Sequence, residues 1–296
     1  MSRSGLKLGV HVSISGALDQ SVDRAVKRGC TTFQIFTRNP RGWKSKDLEG
    51  HIAEAFKTKL ADSGISPVYA HMPYLPNLAS PDEDVYAKSV EVLISEMKRC
   101  ELLNIPYLVT HLGSHKGSGT TRGIQRLVEA CRLALNASRG DVMLLLENTA
   151  GTKNSIGADL DDIASVMDGV GWDNRVRLCF DTCHAFAAGY ELRSRSGLLE
   201  TLKAVDQTVG LSRLELVHLN DSKGDLNSRL DRHEHVGLGR IGEGGFRGIL
   251  GEKLIRSRPM VLETPIDRVR DDYGNLGRVR EIAKRSGLGY RTQPRR

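Results

Sequence analysis

Six short apolar runs of this sequence each stop at a side chain that can hold a metal ion: His71 after VYA, His111 after YLVT, Glu147 after VMLLL, Asp181 after RLCF, His218 after LELV and Glu263 after PMVL. Their spacings of 40, 36, 34, 37 and 45 residues each match one strand-plus-helix unit, so a fold repeating such units would bring all six to one end. Two local motifs add three donors. These are His184 in DTCH and the pair Asp231 and His233 in DRHEH, where an extended Asp-x-His points both side chains to one side. Nine nitrogen and oxygen donors, five imidazoles and four carboxylates, exceed the roughly three protein ligands that one catalytic zinc takes. The set suits two or three ions. Its imidazole content points to zinc first, with manganese or iron as alternatives, over magnesium, which prefers oxygen ligands and keeps its waters.

Taken singly, a strand-end histidine is more often a satisfied core residue, and a strand-end carboxylate a helix cap or ion-pair partner. Taken together, nine ionisable groups converging without cations would carry a prohibitive desolvation cost. The other histidines, His11, His51, His115 and His235, are read as non-ligands. Of these, His11 ends the first run and is placed to donate to a ligand, whereas His51 opens a helix and is solvated.

The same pattern shows the elements that must position the donors. LGVHV near 8 and FQIF near 33 bring the apolar runs to eight, and between runs lie segments of helical spacing such as Val85, Val90, Leu93, Ile94 and Met97. Strands apolar on both faces and alternating with helices require a parallel sheet covered by helices, and eight strands close it. The expected architecture is α/β: a single (β/α)8 TIM barrel over 1–296, its metal cluster at the C-terminal ends of the strands, with a basic tail at about 288–296. A doubly wound dinucleotide-binding sheet is disfavoured, because the first strand runs into SISGAL rather than G-x-G-x-x-G.

With 39% hydrophobic and 27% charged residues among 296, a disordered, collagenous or coiled-coil chain is excluded. The longest aliphatic run, 142–146, falls far short of the roughly 18 apolar residues of a membrane span. No membrane partner is expected, and MSRSGLKLGV has no apolar export segment, so the expected location is cytoplasmic. Cys30, Cys100, Cys131, Cys179 and Cys183 are dispersed and form no C-x-x-C pair, which reads as reduced and mostly buried. The net charge of +7 favours a polyanionic partner without requiring one.

Across nearly its whole length the chain resembles the endonuclease IV family, the zinc-dependent apurinic/apyrimidinic (AP) endonucleases of base excision repair. The resemblance runs through HVSISGAL (11–18), FTRNPRGW (36–43), HMPYLPNLASP (71–81), THLGSH (110–115), ENTAG (147–151), DTCHAFAAGY (181–190), HLNDSKGDLNSRLDRHEHVGLGRIG (218–242) and LETP (262–265). DTCHAFAAGY and DRHEHVGLG are its most specific stretches. Two departures are small: the family's H-x-S-Y-L-I-N-L reads HMPYLPNL here, and Leu112 replaces a proline beside His111.

The resemblance implies three Zn2+ per chain, with manganese or iron possible in some positions. His71 and His111 would hold one ion, Glu147 would bridge it to a second held by Asp181, His218 and Glu263, and His184, Asp231 and His233 would hold the third. It also implies hydrolysis of the phosphodiester 5′ to an abasic site in duplex DNA, giving 3′-hydroxyl and 5′-deoxyribose phosphate ends, by a monomer in the cell interior at the nucleoid or nucleus. Glu147 and Glu263 are the catalytic candidates. Tyr74 and Leu75, just after His71, together with Arg41 match the residues that enter DNA in the family, and Lys223 and Arg229 are candidates for phosphate contacts. Two rivals stand behind this reading. A sugar isomerase or epimerase is disfavoured by the ligand-rich DRHEH loop and FTRNPRGW, and a structural-zinc DNA binder by the lack of cysteine ligands.

Overall fold

The computed structural model describes residues 5–138 and 140–285; the expected basic tail at 288–296 lies outside them. Eight parallel strands form one sheet: β1 (Leu8–Val10), β2 (Phe33–Phe36), β3 (Val68–His71), β4 (Tyr107–His111), β5 (Met143–Glu147), β6 (Val176–Asp181), β7 (Leu214–His218) and β10 (Met260–Leu262), in the order β1-β10-β7-β6-β5-β4-β3-β2. A parallel bridge between His11 and Gln34, with the Val12 N–H donating to the Gln34 carbonyl at 2.7 Å, joins the two ends of that order into a barrel. Helices separate the strands, including α1 (Gln20–Lys27), α2 (Gly50–Ser63), α3 (Glu83–Leu103), α4 (Thr120–Ala137), α5 (Leu160–Gly169), α6 (Thr182–Ala188) and α7 (Arg195–Thr208). In α3, Val90, Leu93 and Met97 are buried as the periodicity required, and Val85 and Ile94 are half-buried.

Two separate cores hold the strands. One lies between sheet and helices. The other fills the barrel and consists of Tyr69, Val109, Leu145, Cys179, Leu216 and Val261, capped by Tyr107 and Met143. Each of the six sits two residues before one of the strand-end donors. Side chains two apart on a strand share a face, so the apolar plug and the donors are successive layers of one lumen. Burying each such side chain stabilises the fold by roughly 1.5–3 kcal/mol.

The seventh unit is irregular. Between β7 and α8 (Gly242–Gly251) the chain forms a two-stranded antiparallel hairpin, β8 (Asp221–Ser222) and β9 (His233–Glu234). Such short strands left no periodic signal. The carboxylate of Asp221 anchors this excursion by accepting the N–H groups of Gly237, Gly239, Ile241 and Gly242. At Gly239 a Cβ would meet that carboxylate at 2.5 Å, so the close approach requires glycine.

The loop after β2 is fastened by a buried ionic cluster. Arg38 Nε lies 3.1 Å from Glu96 Oε1, Thr37 donates to Glu96 Oε2, and Arg99 donates to the carbonyls of Thr37 and Lys46. All three charged side chains are buried, and losing one partner from such a cluster typically costs about 3–5 kcal/mol. Among the described residues no helix is long and apolar enough to cross a membrane. All five cysteines are free and buried, as expected.

Candidate metal centre

The strand ends deliver the donors to one mouth. His71, Glu147, Asp181, His184 and His218 are buried there, and His111, His233 and Glu263 are partly buried. The DTCH motif works through a helix cap. Asp181 is the N-cap of α6 and its Oδ1 accepts the His184 N–H at 2.8 Å, which turns the ring of His184 back over the mouth. The other oxygen, Oδ2, accepts from Asn220 Nδ2 at 2.7 Å and lies 3.8 Å from His218 Nδ1. In the hairpin, His233 on β9 and Asp231 just before it bring Nε2 and Oδ1 within 3.9 Å of each other, as an extended Asp-x-His requires.

The nine donors fall into three groups whose ligand atoms lie within 4.8 Å of one another: His71, His111 and Glu147; Glu147, Asp181, His218 and Glu263; and His184, Asp231 and His233. Glu147 belongs to two of them through different oxygens. Its Oε2 lies 3.2 Å from His71 Nε2 and 3.1 Å from His111 Nε2, whereas Oε1 lies 3.0 Å from His218 Nδ1. Ligands at about 2.0–2.1 Å around a tetrahedral zinc stand roughly 3.3 Å apart. His184 Nε2 to Asp231 Oδ1 at 3.2 Å and His218 Nδ1 to Glu263 Oε2 at 3.4 Å match that spacing as well.

Four of the five rings are also turned correctly. His71 Nδ1 faces the carbonyl of Met72 at 2.7 Å, His184 Nδ1 that of Asn148 at 2.9 Å, and His233 Nδ1 that of Glu263 at 3.0 Å. A carbonyl only accepts, so each Nδ1 carries the proton and each Nε2 offers its lone pair to the cluster. For His233 that Nε2 is buried without a hydrogen-bond partner, which suits an atom meant for a cation. His218 is turned the other way round, with Nε2 against Gln34 Oε1 at 2.9 Å and Nδ1 toward the carboxylates.

Carboxylates and imidazoles of the cluster shift one another. Burial pushes the Glu147 carboxyl up, but His111 and His218 beside it outweigh burial and hold it well below the usual carboxylate range. At Glu263 burial is likewise overcome, chiefly by His218 and His11. Reciprocally, burial lowers His184 and His218 while neighbouring acidic groups drive both well above the ordinary imidazole value, Asp181 foremost for His184 and Cys179 with Glu263 for His218. These carboxylates call for positive charge at the centre, and metal cations supply it without protonating the ligands.

A fourth possible group, Asp181, Cys183 and His233, includes a cysteine the donor pattern passed over. Burial pushes the Cys183 thiol up to about 12, and its sulfur instead lies 3.6 Å from the Arg232 carbonyl. We read it as packing. Sequence reasoning also missed Gln34, Asn148 and Asn220, buried amides that hold the donors in place. His11 ends beside Glu263, with Nδ1 3.4 Å from Oε1, so it does sit against a ligand, and His51 is exposed.

Two cavities meet at the cluster. One of about 650 Å³ is lined by Trp43, Tyr74, Leu75 and the first donor group's histidines, and one of about 360 Å³ by His11, His233 and Glu263; Tyr74 lines both. Tyr74 and Leu75 are 65% and 41% exposed although apolar, and Tyr74 packs edge-on against Phe36 at 5.1 Å between centroids. Arg41, Lys223 and Arg229 are exposed; Lys223 Nζ stands 3.9 Å from Glu234.

Comparison with known proteins agrees with the barrel fold. A family model described as a xylose isomerase-like TIM barrel matches residues 22–285. A probable endonuclease 4 of Methanoculleus marisnigri is 57% identical over 277 residues, covering 93% of this chain and 98% of that protein. One of Cenarchaeum symbiosum is 51% identical, covering 94% and 100%. The crystal structure of endonuclease IV from Thermus thermophilus superposes with a TM-score of 0.84 at 36% identity, over 94% of this chain and 99% of that one. Shared barrel, shared length and this level of identity lead to one conclusion: the chain belongs to the endonuclease IV family.

Proposed function

We propose that this protein is an AP endonuclease that hydrolyses the phosphodiester 5′ to an abasic site in duplex DNA, working as a monomer with three zinc ions. The observation that carries this reading is Glu147, which gives one oxygen to each of two adjoining donor groups at the open mouth of a barrel of this family. His71, His111 and Glu147 would hold one ion, Glu147, Asp181, His218 and Glu263 a second, and His184, Asp231 and His233 a third. Zinc ions bound there would neutralise the phosphodiester, activate a water and stabilise the departing 3′ oxygen. Manganese or iron suits the same donors.

The chain's own residues divide the remaining work. Glu147 is wholly buried and holds charge only, whereas the Glu263 side chain keeps 18% of its surface open and lines the smaller cavity. It is therefore the acidic residue of the cluster placed to take the proton of the attacking water. Tyr74, Leu75 and Arg41 enter the space left by the missing base, where stacking is already lost and opening the duplex costs least. Lys223 and Arg229 contact phosphates.

Incubation with a duplex carrying one abasic site should give a single cut with the ends named above, and the intact duplex should survive. Equal cutting of both would overturn the abasic specificity. Elemental analysis of protein purified without chelator should find about three transition-metal ions per chain, mostly zinc, since the nine donors divide into three groups; one ion or fewer contradicts the trinuclear centre. Affinity for abasic duplex should also fall linearly with salt on a log-log plot, by a slope of about −0.9 per phosphate contacted. A flat line would argue for a small uncharged substrate.

A further inference from the structure

We infer that Gln34 is a positioning residue of the metal centre: its carboxamide fixes the tautomer of His218 and the free oxygen of Glu263, so one uncharged side chain pre-sets two ligands at once. The inference rests on reading the group of Glu147, Asp181, His218 and Glu263 as a metal site.

Gln34 lies on β2 and is fully buried, and every polar atom of its amide group is used. Nε2 donates to Glu263 Oε1 at 2.6 Å and to His11 Nδ1 at 2.9 Å, while Oε1 lies 2.9 Å from His218 Nε2. The amide has only one workable orientation. Turned over, it would set its oxygen 2.6 Å from a carboxylate oxygen, two acceptors with no hydrogen between them.

With that orientation fixed, His218 must carry its proton on Nε2. Its lone pair is then on Nδ1, the atom 3.0 Å from Glu147 Oε1 and 3.4 Å from Glu263 Oε2. On Glu263, holding Oε1 leaves Oε2 turned to the same point.

His71, His184 and His233 are oriented by main-chain carbonyls, which no substitution removes. His218 is oriented by a side chain, and that side chain belongs to the residue whose backbone closes the barrel against His11. Closure of the last strand pair and orientation of the second donor group therefore occur together.

Two variants test this. Gln34→Met keeps the length and removes every polar contact. Gln34→Glu keeps an acceptor for His218 but sets a carboxylate against Glu263. In Gln34→Met, competition against a chelator should show one of the bound zinc ions held about 10–100-fold more weakly, the usual cost of losing a partner behind a metal ligand. Nitrogen-15 spectra of the zinc-loaded protein should show the His218 Nε2–H, held against Gln34 in the parent, exchanging faster with solvent, and the metal-free melting temperature should stay within a few degrees. Gln34→Glu should retain the tautomer yet still weaken the same ion. Zinc retention equal to the parent's in both variants, with the His218 Nε2–H as well protected from exchange in Gln34→Met as in the parent, overturns the inference. A parent chain that takes up no zinc at this group overturns the reading beneath it instead.

Discussion

Glu263→Gln should leave the barrel folded and lower the rate of abasic-duplex cleavage by about 10²–10⁴-fold, the range spanned by loss of a positioned general base. The substitution preserves volume, so the lumen packing is undisturbed, but it removes charge where the cluster depends on it. Burial alone would favour a neutral group there, and His218 and His11 hold the carboxyl ionised against that tendency. The new amide would also have to present either its NH2 to the NH2 of Gln34 or its oxygen there and its NH2 toward His218 Nδ1, the face meant for a cation. Metal analysis separates the two roles of Glu263. A count that stays near three with the rate lost assigns it the proton transfer, and a count that drops by one assigns it the ligand role as well. Cleavage at the parental rate would refute both.

Changing Arg41, Tyr74 and Leu75 together to Ala should weaken binding and cleavage of abasic duplex by at least about tenfold, since side chains filling the emptied stack offset an unstacking cost of a few kcal/mol. Metal content and melting temperature should hardly change. Tyr74 and Leu75 are largely exposed, and the loop of Arg41 is fastened from below by Arg38, Glu96 and Arg99, none of which is altered. The measurement is affinity for abasic duplex beside elemental analysis and thermal melting. Loss of metal or of the fold would make the three structural, and cleavage equal to the parent's would remove them from recognition.

The sequence carried the donors unusually well because two regularities coincide in this fold. A strand exposes alternate residues to the lumen and a barrel aligns its strand ends, so a polar residue closing each apolar run had few other places to go. His71, His111, Glu147, Asp181, His218 and Glu263 were legible on that ground, and Asp231 with His233 through their spacing. What was not legible is equally physical. Gln34 sits in the middle of FQIF, where a lone amide in an apolar run has no pattern to announce it, and its role depends on residues 184 and 229 positions away in sequence. Asn148 and Asn220 act in the same way, one residue beyond β5 and two beyond β7. The hairpin of β8 and β9 escaped notice because two-residue strands show no alternation, and its anchor, Asp221, acts through backbone amides that sequence does not display.

The apolar plug lying two residues beneath the donors has a consequence for how this centre can vary. Protein interiors pack as densely as molecular crystals, so the width of the barrel at its mouth follows from the hydrocarbon volume stacked below it. Distances between His71, Glu147, Asp181 and Glu263 are thus inherited from Tyr69, Leu145, Cys179 and Val261. A lineage adapting this scaffold to another ion or another reaction could retune its ligand spacing by trading methylenes in a layer that never meets the substrate, and leave every donor unchanged.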